Sequence, residues 1–335
     1  MSDRMLSRRG VLRAGVVGLG GLGLGAILAS CGSDGAAGEK RARIEDTQKG
    51  TAGAVIRPIS ERYGLLDSLS LTYVAGTGPG DVQNKLLSGA LDNASMGPIG
   101  AVVANNAGAA LTVFTTGLNN HVRWLVPANS PYRTPADLRG KRIATPPNNS
   151  DAYRSAQLAA AVNGIEFNKE YEIHQGAVLA GLALFDRGDV EGIVTIEPNA
   201  TRLVARGARQ LATVDELWRQ GTGHSEPLLL NGQGARLDWV NSNPDLAAAL
   251  QKLRLDAHHK IREQPQILAE LAGYYGIPPT EKEAIKLLPQ RLVDIYPVEW
   301  GQAAATSMDT QIAAAVQHGL LPKAPTAPVY SKLTS

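Results

Sequence analysis

The stretch KRIATPPNNSDAYRSAQLAAAVNG, Lys141 to Gly164, decides the architecture. Lys141–Thr145 reads as a short strand. Asn148-Asn149-Ser150 leads into a helix from Asp151 to Asn163, because small polar side chains cap the amides of a first helical turn. Gly164 closes it, as a residue free to adopt a left-handed conformation closes many helices. Downstream the unit repeats: strand Tyr171–Gln175, helix Val178–Asp186, strand Gly192–Ile196, then a helix from Glu197-Pro198 to Arg206-Gly207. Upstream, Thr134–Leu138 reads as a short capped helical turn.

An earlier section keeps the same rhythm. A strand near Ala42–Asp46 precedes a helix ending at Tyr63-Gly64, and Leu69–Ala75 alternates like a strand until Gly76-Thr77-Gly78-Pro79-Gly80 breaks it. Val82, Leu86, Leu87 and Leu91 make a helical face across Asp81–Leu91. Asn93–Met96, Leu111–Thr116 and His121–Pro127 read as strands and Ile99–Asn106 as a helix. Strands alternating with helices of this length predict a mostly parallel sheet with helices on its faces. The rhythm occurs twice, so two α/β lobes are expected. Beyond Pro244 the chain is mainly helical, with a long segment Asp245–Glu263, shorter ones to Gly319 and a Pro-rich end lying on the surface.

The first forty residues differ in kind. Arg4, Arg8, Arg9 and Arg13 precede an apolar, Gly-rich run, Val16 to Ala29, ending in Leu28-Ala29-Ser30-Cys31. A basic opening, a short apolar core and small residues before a cleavage point describe an export signal, expected over 1–30. The run is shorter than the roughly 20 residues that span a bilayer. Ser7–Arg13 resembles the twin-arginine export motif and Leu28–Cys31 the bacterial lipobox, which makes Cys31 the expected lipidation site. Cys31 is the single cysteine, so the mature fold holds no internal disulfide and no cysteine-based metal cluster. A tether is expected over 31–42. The formal charge of +2 includes a net +3 from the signal, and the −1 that remains gives no basic face for nucleic acid.

Four further segments carry a resemblance. They are Lys85–Asp92 with Met96-Gly97-Pro98; Ser130-Pro131 through Pro135–Ala144; Leu184–Gly192 with Ile196-Glu197-Pro198; and Asn243–Leu246 opening a long helix. Together they resemble the type II periplasmic binding proteins of ABC importers, in the branch that takes up nitrate, alkanesulfonates, taurine and thiamine-precursor pyrimidines. Glu45-Asp46 in the first strand, Glu191-Gly192 and Ile196 differ from that branch's usual residues. The resemblance implies a two-lobed fold, 43–126 with 229–335 as lobe 1 and 127–228 as lobe 2, plus C-terminal helices. It also implies a monomer that is not an enzyme, needs no cofactor and holds a small solute between the lobes. Its partners would be an ABC permease with separate ATPase subunits, met at the outer face of the cell membrane. A sensor or adaptor for a membrane receptor, and a pyrimidine-synthase-like enzyme, are the other readings.

In such sheets ligands bind beyond the carboxyl ends of strands, where helix N-termini offer unpaired amides to anions. The candidate ligand residues are therefore Thr47, Gln48, Thr77, Gly78, Met96, Gly97 and Thr115 in lobe 1. Asn148, Asn149, Ser150, Glu197 and Asn199 are those of lobe 2. Turn chemistry and N-capping compete as explanations for most of them. A cleft-facing Glu197 or Asp81 would oppose a bare anion and suit a zwitterion or an amine-bearing ring. The glycines 76, 78 and 80 do not match a dinucleotide fingerprint, and there is no P-loop. No motif gathers the scattered histidines into a metal site, and Trp124, Trp218, Trp239 and Trp300 are expected to pack rather than stack on ligand.

Overall fold

The structure, a computed structural model, describes residues 41–333 apart from Ser68. The expected signal, most of the tether and Cys31 lie outside the described residues. Arg41 and Ala42, expected in the tether, are instead the start of β1 (Arg41–Asp46), whose backbone pairs in parallel with β2 (Ser70–Ala75). The helices that follow these strands are α1 (Ile56–Arg62) and α2 (Pro79–Ser88). Then come β3 (Ala94–Met96), α3 (Pro98–Asn106) and β4 (Leu111–Asn119).

The next section runs β5 (Val122–Val126), β6 (Arg142–Thr145), α4 (Asp151–Val162), α5 (Phe167–Glu170), β7 (Glu172–Gln175), α6 (Val178–Arg187) and β8 (Gly192–Ile196). It ends with α7 (Asn199–Ala205), β9 (Arg209–Thr213) and α8 (Val214–Thr222). The chain then enters β10 (Leu229–Arg236) and finishes in α9 (Leu237–Ser242), α10 (Pro244–Glu263), α11 (Ile267–Glu270), α12 (Lys282–Leu292) and α13 (Gln302–Gln317).

Two mixed sheets organise these elements. One has the order β7-β6-β8-β5-β9, in which only β5 runs against the others. The other joins the parallel pair β1-β2 to β3-β10-β4 through a parallel bridge between Ile44 and Asn93, and there β10 is the reversed strand. The two arrangements are the same, and in each the reversed strand is the one the chain enters on arriving from the other sheet. β5 thus belongs to the second sheet, and the first crossing falls between Asn119 and Val122 rather than at residue 126. Only Asn120 and His121 separate β4 from β5, so the chain passes from one sheet to the other almost without a break in strand, and no turn residue marks the crossing.

Strand β10 was not visible in the sequence pattern. Gly232 and Gly234 interrupt it, and both are needed at this central position. A Cβ on Gly232 would lie 2.5 Å from the Thr115 carbonyl oxygen, and one on Gly234 would lie 2.6 Å from Met96 Cβ. Close approach of neighbouring strands therefore sets the glycines, where a side chain would overpack the sheet.

Aromatic packing fills the second sheet's outer face. Trp124 is fully buried against Phe167 and Tyr171, with ring centroids 5.7 and 5.5 Å away. Trp218 and Trp300 are also buried, and Trp239 packs on Phe114. α10 lies along β4 and α1, and α13 against α3 and α4. The Pro-rich end is held in place: Val329 is buried, and residues 329 and 331 exchange backbone hydrogen bonds with Val113.

Candidate functional site

The carboxyl ends of β1, β2, β3 and β8 and the start of α4 enclose a cavity of about 210 Å³ to which both sheets contribute. Six of the expected ligand residues line it: Thr47, Gln48, Gly78, Met96, Asn149 and Ser150. Gln48 Nε2 donates to the Gly76 carbonyl at 2.8 Å, which ties the loop after β1 to the loop after β2. Ser150 caps α4 by accepting from the Tyr153 amide at 3.2 Å, so its N-cap role and its place on the cavity coincide. The capping leaves the Asp151 and Ala152 amides without an acceptor among the described residues, and both residues line the cavity. An unpaired first turn with its partial positive charge favours an anion there.

The other six expected residues sit elsewhere. Thr77 is exposed and donates its amide to Asp81, whose carboxylate also pairs with Lys85 at 2.6 Å. Asp81 is thereby a helix-start residue with its own partners. Gly97 lies under Asp151, where a Cβ would come 2.5 Å from Oδ1. Thr115 is buried within β4 with its hydroxyl unpaired. Asn148 opens on a separate cavity with Tyr153 and Gln175. Asn199 Nδ2 donates to the Gly50 carbonyl at 2.9 Å, which fastens α7 to the loop after β1.

Glu197 is fully buried. Its Oε2 accepts from the Thr201 amide and hydroxyl at 2.9 and 2.6 Å, and its Oε1 accepts from Arg291 Nη2 at 2.8 Å. Arg123 stands 3.5 Å from the same oxygen. With Arg202 paired to Glu281, this cluster ties α7 to α12 and its approach. Both carboxylate oxygens are thus engaged by protein groups.

Four titratable groups face the 210 Å³ cavity instead: Glu45, His121, Asp151 and Arg154. Glu45, the residue that departs from the family pattern, accepts from the Ser95 amide at 2.8 Å. Arg154 follows Ser150 by one helical turn, so its guanidinium falls on the cavity side of α4. It reaches Asp151 only at 3.9 Å and donates no side-chain hydrogen bond among the described residues. Burial pushes the Asp151 carboxyl up to about 6, partly offset by Arg154. Burial pulls His121 down to about 4, so its ring is neutral at physiological pH. A larger cavity of about 730 Å³ lies on the other side of β1, lined by Asp46, Arg57, Tyr73 and Arg254 among others. It shares Glu45, Thr47 and Gly53 with the first but takes no residue from the second sheet, so the candidate site is the smaller one.

Residues 65–284 match the family described as the ABC transporter, phosphonate, periplasmic substrate-binding protein. The chain belongs to this family. Solved structures agree on the fold. The alkanesulfonate-binding protein SsuA from Xanthomonas axonopodis pv. citri, bound to MOPS, is 20% identical; the match covers 87% of this chain and 98% of that one, with a TM-score of 0.69. The periplasmic nitrate-binding protein NrtA from Synechocystis PCC 6803 is 15% identical over 84% and 82% of the two chains, with a TM-score of 0.64. The desulfurization enzyme DSZB shares the fold at 16% identity over 85% and 94%, with a TM-score of 0.57. No curated protein matches the chain. This binding protein is thus a two-lobed α/β substrate-binding component of an ABC transport system, with its cleft between the two sheets. No helix among its described residues is long and apolar enough to cross a membrane.

Proposed function

We propose that the protein captures a small oxyanion of the sulfonate or phosphonate type in the 210 Å³ cleft and delivers it to an ABC permease driven by separate ATPase subunits. The observation that carries this reading is that Arg154 lines one cavity together with Asp151 and Ala152, whose amides have no acceptor among the described residues. Together they offer donors around an anion, with charge-assisted hydrogen bonds from arginine the stronger part. Relatives that bind alkanesulfonate and nitrate share the fold. A pyrimidine ligand fits less well, because no Phe, Tyr or Trp among the described residues lines the cavity to stack on a ring.

The lipobox at Leu28–Cys31 supports a lipid-anchored protein at the extracytoplasmic face of the cell membrane, Ser7–Arg13 supports export by the twin-arginine route, and the family resemblance supports a monomer. The family model favours binding over catalysis, although an enzyme shares the fold. Isothermal titration against ethanesulfonate, taurine, ethylphosphonate, nitrate and a thiamine-precursor pyrimidine tests the proposal. Saturable binding of at least one sulfonate or phosphonate is expected. Binding of the pyrimidine alone, or of none of the five, would contradict it.

A further inference from the structure

Helix α3 of lobe 1 carries a glycine, Gly100, at a position where its backbone is ordinary α-helix. Alanine would suit that backbone better. The use of the missing side chain lies across the cleft. A Cβ on Gly100 would stand 2.7 Å from Nη1 of Arg154 and 3.3 Å from Oδ1 of Asp151, both on the first turn of α4 in lobe 2. On its own side Gly100 is not crowded, since Met96 Sδ at 3.5 Å is an ordinary contact. Gly97, three residues earlier, also gives room to Asp151, and its φ of −83° and ψ of 158° suit any residue. A Cβ there would meet the Leu230 carbonyl oxygen of β10 at 2.9 Å as well, so Gly97 serves its own sheet too. Gly100 serves the other lobe.

Arg154 depends on that gap. Its guanidinium ends a flexible chain and donates no side-chain hydrogen bond among the described residues. Its ion pair to Asp151 is 3.9 Å long, yet its side chain is only 17% exposed. The end of the guanidinium packs on the first turn of α3, at the point where that turn has no Cβ. An added methyl group would displace the guanidinium rather than the backbone, because the flexible end is what gives way.

We infer that Gly100 is a positioning residue: lobe 1 seats the Arg154 guanidinium of lobe 2 in the gap at Gly100, so the oxyanion's charged donor takes its place only as the lobes meet. This rests on the oxyanion reading above and adds how that site is assembled. An oxyanion that needs the seated guanidinium binds the closed arrangement better than the open one, and so draws the lobes together.

A double-mutant cycle on Gly100→Ala and Arg154→Ala tests this. The probe is whichever of ethanesulfonate, 2-aminoethanesulfonate and ethylphosphonate the parent protein binds most tightly by titration calorimetry. Gly100→Ala weakens that probe about tenfold, a part of what the whole guanidinium contributes, while the thermal midpoint holds or rises. In the Arg154→Ala background the same change costs nothing, because no guanidinium is left to displace. A glycine kept only for the fold of α3 would cost the same affinity in both backgrounds. Unchanged affinity in Gly100→Ala, or an equal loss with and without Arg154, overturns the inference and leaves the oxyanion reading standing. Should Gly100→Ala unfold, the cycle is read in the thermal midpoint: recovery in the double variant supports the contact, and no recovery overturns it. A parent protein that binds none of the three probes overturns both.

Discussion

Arg154→Ala lowers affinity for 2-aminoethanesulfonate by about 100-fold, because hydrogen bonds to charged groups are worth roughly 1.5–3 kcal/mol and each 1.4 kcal/mol is tenfold. Two effects add in this variant. The oxyanion loses its guanidinium, and Asp151 loses the only cation among the titratable groups lining the cavity. Stability changes little by comparison, since Arg154 makes no side-chain hydrogen bond among the described residues and its ion pair is 3.9 Å long. Titration calorimetry with a parallel thermal melt checks both halves. Unchanged affinity would remove Arg154 from the site.

Glu197→Ala has the opposite profile, with a large loss of stability. Removing one partner of a buried ion pair leaves the remaining charge uncompensated, at a cost of about 3–5 kcal/mol. Here two cations remain, Arg291 at 2.8 Å and Arg123 at 3.5 Å, with side chains only 19% and 12% exposed. Thr201 also loses the acceptor of its amide and hydroxyl at the start of α7. The expected result is a denaturant midpoint shifted well below that of the parent, with the slope unchanged. Because the cluster ties α7 to α12, cleft geometry suffers only through the fold. A variant with parental stability and lost binding would return Glu197 to the list of ligand residues.

These two residues mark where the sequence could be read and where it could not. Strand–helix alternation made most strands of both sheets legible, though not β9 or β10, because turn glycines such as Gly89 and Gly188 end helices in left-handed conformations that side chains resist. Six of the twelve residues picked out by one rule, that ligands meet strands at their carboxyl ends, line the cavity between the sheets. Arg154 escaped that rule because it sits one turn inside α4, on a face that helical geometry turns toward the loop. Glu45 carried a visible signal, an acidic residue in a strand usually apolar in this family, but its pairing with the Ser95 amide required the sheet. His121 lies at the crossing between sheets, where no local pattern gives a direction to its ring. Glu197 misled because a carboxylate before a helix looks the same whether it caps, pairs or binds. Only the approach of Arg291, 94 residues away in sequence, decides among these. β10 failed for a tertiary reason, since the glycines that break its pattern are the ones its neighbours demand.

A crystal structure with 2-aminoethanesulfonate tests the central claim most directly. The account predicts the sulfonate in the 210 Å³ cleft, within hydrogen-bonding distance of Arg154 and the Asp151 and Ala152 amides. Ligand found in the 730 Å³ cavity beyond β1, or seated in the cleft with its sulfonate away from Arg154, would contradict it.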